Sequence, residues 1–181
     1  MNKLYASDLL SQEIERMVDR IDRTEDKRNR TVRNYIATLP TLEALEVMAY
    51  DNEIEISRNA TSNLGTIIEA VVKSVLNKGD TLAPQGVTDL VTGGKRFDIK
   101  LLIKGSTSYP SEIALDTKDD VLFVTDSGVY ILRNKDIMKA KQAGYMNSKN
   151  RFTGKVLTSD LLVTTAFTER LTLELGLGRN A

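Results

Sequence analysis

The chain has 181 residues with equal numbers of basic and acidic side chains, and it contains neither histidine nor cysteine. These two absences exclude disulfides, thiolate or imidazole zinc sites, and catalysis by Ser-His-Asp or Cys-His groups. The remaining chemistry uses carboxylate, lysine, arginine, tyrosine and hydroxyl groups, and carboxylates suit hard cations such as Mg²⁺ or Mn²⁺. The length fits one domain with a substantial core.

The charges are segregated along the chain, as a nucleic-acid binder without net positive charge requires. Acidic residues are common at 43–55. Basic residues crowd the N-terminal segment: Arg16, Arg20, Arg23, Lys27, Arg28, Arg30 and Arg33. The alternative is that both runs are solvated helix surface. Residues 1–30 have no apolar signal core, and no stretch approaches the roughly 20 apolar residues that span a bilayer, so we expect a cytoplasmic protein without membrane contact.

The first part of the chain is predicted to be helical. Residues 7–36 have helical periodicity, which favours one long helix or two, and Ser7 can cap the start. Pro40 interrupts the pattern, and we expect another helix directly after it. We therefore predict a helical N-terminal extension over residues 1–40 and a core domain over residues 41–181.

The most regular helical pattern covers residues 62–77. Its apolar side chains recur at i, i+3, i+4 and i+7, with Ser62 or Asn63 as a cap and Gly79 at the end. Glu69 lies at the edge of the apolar stripe. We expect its carboxylate at a buried boundary, because it is turned about 100° from the residue before it.

Two strand-like runs, 87–91 and 96–103, flank the pair Gly93 and Gly94. A Gly-Gly pair between such runs is a strong hairpin signal and indicates a turn, not a phosphate-binding loop.

A second hairpin is predicted over 121–132, followed by a helix over 135–143 that Asn134 can cap. The pattern of the tail, 155–177, does not distinguish strand from helix.

The register of the first hairpin places two carboxylates opposite each other. With the two glycines in the turn, Asp89 faces Asp98, and opposed side chains share a face with Cβ atoms roughly 4.5–5.5 Å apart. Alternation along the strands sends one set of side chains to the core: Leu90, Phe97, Ile99 and Leu101. The other face then carries Asp89, Arg96, Asp98 and Lys100.

Opposed like charges destabilise a sheet unless something offsets their repulsion. A raised pKa could protonate one carboxylate, Lys100 and Arg96 could neutralise the pair, or a divalent cation could bridge both acids. The cation is the functional interpretation, and it leaves Lys100 free to act. The alternative is an exposed strand face with Asp89 paired to Lys100 or Arg96.

Asp89 followed by Asp98, Ile99 and Lys100 resembles the PD-(D/E)XK signature of restriction-endonuclease-like nucleases. In that family the signature lies on a β-hairpin, and an upstream helix often supplies a glutamate, which here would be Glu69.

The similarity covers about 60–143, because the second predicted hairpin and the following helix resemble the continuation of the family core. It departs from the family where Thr88 stands in place of the frequent proline, and where Asp98 stands in place of the commoner glutamate.

The resemblance implies an α/β fold with a restriction-endonuclease-like mixed β-sheet core flanked by helices. It implies a restriction-type endonuclease that hydrolyses DNA phosphodiester bonds with Mg²⁺, for which Mn²⁺ can substitute. The implied metal ligands are Asp89, Asp98, the backbone carbonyl of Ile99 and, directly or through water, Glu69. Lys100 would orient or help deprotonate the attacking water and offset negative charge in the transition state.

Basic and hydroxyl residues near the expected site are candidates for DNA contacts, although they are also ordinary loop residues. They are Lys95, Arg96, Lys104, Ser106, Thr107 and Ser108. A homodimer is expected by analogy, because cutting both strands of a duplex usually needs two active sites. A Holliday-junction resolvase-like enzyme, a non-catalytic DNA- or protein-binding module on the same fold, and an adaptor without a nucleic-acid role stay open.

Overall fold

The structure is a computed structural model and describes residues 2–56, 64–76, 89–104 and 112–178. These residues form a mixed α/β fold, which confirms the predicted class at that level. The helices are α1 Ala6–Arg23, α2 Arg30–Asp51, α3 Leu64–Leu76, α4 Ile137–Gln142 and α5 Ala166–Glu174. The strands are β1 Leu90–Thr92, β2 Lys95–Leu101, β3 Asp120–Val124, β4 Val129–Leu132 and β5 Leu162–Val163.

The five strands make one sheet in the order β1-β2-β3-β4-β5. Strands β2 and β3 are parallel, and the other neighbouring pairs are antiparallel. The second predicted hairpin is confirmed as β3 and β4. For the tail, 155–177, the sequence pattern did not distinguish strand from helix. The structure shows a 3₁₀ helix Gly154–Thr158 there, followed by β5 and α5.

The sheet has a buried core on each face. On one face, Phe97, Ile99 and Leu101 pack with α1, α2, α3 and α5. The other face carries Val121 and Phe123, which pack with apolar residues from α4 and the chain up to residue 162. The face that holds Asp98 and Lys100 is therefore not simply open to solvent.

The predicted helix break at Pro40 is wrong, because α2 runs through it from Arg30 to Asp51. Proline removes one helical hydrogen bond, but burial of Leu42 and Leu45 in the core outweighs that loss. The predicted boundary between residues 40 and 41 falls inside this helix.

Two predicted helix caps are also absent. Tyr5, not Ser7, precedes α1 and makes no capping bond through its side chain. The Ala6 N–H instead donates to the Ile54 carbonyl at 2.8 Å, because the chain before α1 pairs with the segment after α2.

Asn134 is the first residue of a 3₁₀ helix, Asn134–Asp136, and does not cap α4. Its side-chain amide donates to the Thr117 and Asp119 carbonyls and so fastens the loop before β3. Ser62, Asn63, Gly79 and Thr88 lie outside the described residues.

Candidate metal and nucleic-acid site

The hairpin of β1 and β2 sets the geometry of the candidate site. Gly93 and Gly94 have φ angles of 55° and 75°, which glycine adopts without steric penalty. Leu90 pairs with Phe97 across the turn, so the predicted register is confirmed. Two left-handed residues in a two-residue turn give the strand twist that holds such a hairpin together.

Asp89 directly precedes β1, and the register of the hairpin sets it opposite Asp98. Its Oδ2 accepts a hydrogen bond of 2.8 Å from the Ile99 N–H, and its carboxylate is within hydrogen-bonding reach of the Asp98 carboxyl group. Burial, aided by Asp89, raises the pKa of Asp98 to about 6, although Lys100 acts in the opposite direction. The structure therefore brings the two acids together at an electrostatic cost.

Lys100 completes the centre of the site. Its Nζ lies 3.0 Å from Asp98 Oδ1, and the exposed fractions of the two side chains are 5% and 22%. Lys100 stands beside Phe123 in the ladder between β2 and β3. The alternative of an exposed strand face is wrong for Lys100, which is buried and forms an ion pair with Asp98. A buried lysine against two carboxylates is typical of functional sites, although structural ion pairs also occur.

The backbone of Ile99 points towards the same edge of the sheet as the acids. The N–H and C=O of one strand residue project to the same side of the strand. Because the Ile99 N–H reaches Asp89, the Ile99 carbonyl also faces the β1 side. Two carboxylates and a carbonyl thus converge on one edge.

Glu69 lies on α3, half-buried, as its position on the helix led us to expect. Burial raises its pKa, Lys73 and Lys100 lower it, and Asp98 raises it further, so Glu69 is within electrostatic range of the site. Across the described ranges, no three His, Cys, Asp or Glu residues are close enough together to hold a metal ion. Glu69 therefore lies in electrostatic range of the pair without forming a three-acid cluster with it.

The oxygen donors fit Mg²⁺, which keeps several waters and usually takes only one or two protein carboxylates. Two carboxylates face the single positive charge of Lys100, and such an ion would offset the remaining negative charge.

The flanking cations are placed unevenly. Lys95 and Lys104 are exposed, whereas the Arg96 Nε lies 3.0 Å from Oδ1 of the buried Asp119. Arg96 is thus ion-paired with Asp119. The candidate contacts Ser106, Thr107 and Ser108 lie outside the described residues.

Asp119 was missed by sequence reasoning. The parallel pairing sets Asp120 beside Phe97, which brings the preceding Asp119 close to Arg96. Only prediction of this long-range pairing could have identified it.

Comparison with known proteins gives no family for the chain. No protein-family model matches it, and neither a curated protein nor a solved structure was found to be significantly similar. Within the described parts of the chain, no helix is both long and apolar enough to cross a membrane.

Proposed function

We propose that the protein is a divalent-metal-dependent endonuclease on a restriction-endonuclease-like fold, which hydrolyses DNA phosphodiester bonds. The observation that carries the proposal is the meeting of Asp89 and Asp98 across a two-glycine turn, with buried Lys100 3.0 Å from Asp98. The proposal of a restriction-endonuclease-like fold is supported by the mixed sheet, which has helices on both faces. In this sheet β3 follows the hairpin of β1 and β2 and runs parallel to β2.

Asp89, Asp98 and the Ile99 carbonyl are the groups that would hold Mg²⁺ or Mn²⁺. Such an ion, when bound, supplies an acidified water and stabilises charge on the scissile phosphate. Lys100 would exchange its bond to Asp98 for one to the attacking water or the phosphate, and would so offset charge in the transition state. Its burial strengthens this interaction, because the effective dielectric constant falls away from water.

A second candidate, a non-catalytic DNA- or protein-binding module on the same fold, is favoured by one observation. Lys100 already forms an ion pair with Asp98, and among the described residues no third acid is close enough to Asp89 and Asp98 to complete a metal site. In that case the ion pair is structural, and Mg²⁺ has no effect on the protein.

The test is cleavage of supercoiled plasmid and of a four-way DNA junction in Mg²⁺, in Mn²⁺ and in chelator. Lys100→Met keeps the length and apolar stem of the side chain but removes the ammonium. Lys139→Met is the matched control, because Lys139 also forms a 3.0 Å ion pair with an aspartate, on the surface.

We expect metal-dependent cutting by the wild type and by Lys139→Met, and a loss of at least about 10²-fold in Lys100→Met. Asp89→Asn should be inactive too, which covers the case in which Lys100→Met does not fold. Preference for the junction would indicate a structure-specific enzyme. Equal cutting by wild type and Lys100→Met, or no cutting by folded wild type, would refute the nuclease.

A further inference from the structure

Helix α2 exposes a row of large side chains on the side opposite to its buried face. Ile36, Val47 and Tyr50 are 49%, 60% and 73% exposed, although they belong to a helix that is well anchored in the core. Leu173 of α5 is 74% exposed and lines a groove with Val47. Several apolar side chains exposed together mark an interaction surface more often than single ones do.

The row has the spacing of a helix-pairing seam. Its members, which we call the outer stripe, are Arg33, Ile36, Pro40, Glu43, Val47 and Tyr50, and all are exposed. They alternate at three and four residues, the heptad spacing that keeps one face turned towards a partner helix. The stripe is about 26 Å long at 1.5 Å per residue. Ala37 and Ala44 flank it, and their small side chains allow another helix to approach.

The end charges of α2 oppose the dipole of the helix itself. Arg30 stands at the first position and Asp51 at the last, and the helix has no acid in its first turn and no base in its last. Cations at a helix N-terminus and anions at its C-terminus are unfavourable. Neither Arg30 nor Asp51 has an ion-pair partner among the described residues, so nothing in that part of the chain compensates them.

An antiparallel copy of α2 would cover the outer stripe and would also compensate the end charges of the helix. In this arrangement the basic first half of α2 lies beside the acidic second half of α2 from the partner subunit. The two helix dipoles then run in opposite directions, which is favourable. The outer stripe then meets itself, as a two-fold interface requires.

We propose that two copies of this chain associate antiparallel through the outer stripe of α2. The two-fold axis passes between residues 41 and 42, so Ile36 faces Val47 of the partner subunit. Arg33 lies over Tyr50 of the partner subunit, an arrangement suited to a cation–π contact. The same axis places Arg30, which flanks the stripe, about 3 Å along the helix from Asp51 of the partner subunit, within reach of its long side chain, at each end of the interface.

A second copy is favoured over a different partner because the stripe is complementary to itself in charge, apolar contact and length. The proposal does not depend on nuclease activity, since its readout is the mass of the full chain. A single helix pair is a small interface, so we expect concentration-dependent dimerisation with a Kd on the order of 1 μM.

Sedimentation equilibrium of the full-length protein over a wide concentration range tests the proposal. Arg30→Asp and Asp51→Arg each place like charges at both symmetry-related ends, whereas the double variant restores opposite charges with the sign exchanged. Each single change also corrects a charge that opposes the helix dipole, so α2 should not lose stability.

We expect each single variant to dimerise at least about tenfold more weakly than the wild type, and the double variant to recover to within about threefold. Val47→Asp, which puts a charge in the middle of the stripe, should be monomeric. A monomeric wild type would overturn the proposal and leave the stripe to another partner. Dimers of equal strength in all variants, or a double variant no stronger than the singles, would overturn this interface.

Discussion

Replacing Asp98 by asparagine should remove the pH dependence that Asp98 gives to the stability of the metal-free protein, while destroying the proposed metal site. The folded protein raises the pKa of Asp98 from 3.8 to about 6, chiefly by burial and secondly through Asp89. The folded state therefore binds the proton more tightly than the unfolded state does. The stability from this proton is complete below about pH 4 and is lost as pH rises through about 6.

The size of this effect on the free energy of unfolding follows from the change in the pKa of Asp98. Each pKa unit corresponds to about 1.4 kcal/mol, so a shift of about two units amounts to about 3 kcal/mol. The Asp98 side chain is 22% exposed, which makes this value an upper estimate. Asparagine cannot ionise, so Asp98→Asn avoids the loss. The free energy of unfolding of the variant should gain up to about 3 kcal/mol on that of the wild type between about pH 4 and pH 7.5.

Urea denaturation in chelator across this pH range measures the difference. The control is Asp160→Asn, at an exposed surface position, and it should track the wild type. Saturating Mg²⁺ should then raise the stability of the wild type and leave that of Asp98→Asn unchanged. A difference between Asp98→Asn and wild type that stays constant with pH would show that the fold does not raise the pKa of Asp98.

Three further sets of substitutions, in the β1–β2 turn, at the start of α5 and in the pair of Arg96 with Asp119, are tested by chemical denaturation. Gly94→Ala should cost about 1–2 kcal/mol because of the φ angle of 75°, and Gly94→Asn clearly less; equal losses would contradict the turn geometry. Thr165→Ala should cost about 1 kcal/mol by removing the capping box of α5, and no loss would show that the cap adds nothing. Arg96→Ala should cost about 1–3 kcal/mol because it removes the cation that lies 3.0 Å from the buried Asp119. An additional Asp119→Asn should recover part of this loss, and no recovery would argue against the pair.

Local signals were sufficient for the hairpin that carries the site. Two glycines fixed both the turn and the register, so Asp89 and Asp98 could be placed together without any knowledge of the remaining fold. The periodicity of α3 likewise placed Glu69 at a buried boundary.

Features that depend on distant contacts were not predictable in this way. Pro40 would end a helix on propensity alone, but core packing on both sides of it carries α2 through. The ion pair between Arg96 and Asp119 exists because β2 and β3 run parallel, and hydrophobic pattern does not specify strand direction. The burial of Lys100 follows from the second core, which is assembled from the chain after residue 101.

The central claim is that Asp89 and Asp98 hold a divalent cation, and Mn²⁺ soaked into a crystal of the protein tests it most directly. We expect an anomalous peak within about 2.2 Å of a carboxylate oxygen from each residue, with Lys100 Nζ moved away from Asp98. A map that shows Lys100 still bound to Asp98, and no manganese between the two acids at saturating concentration, would contradict it.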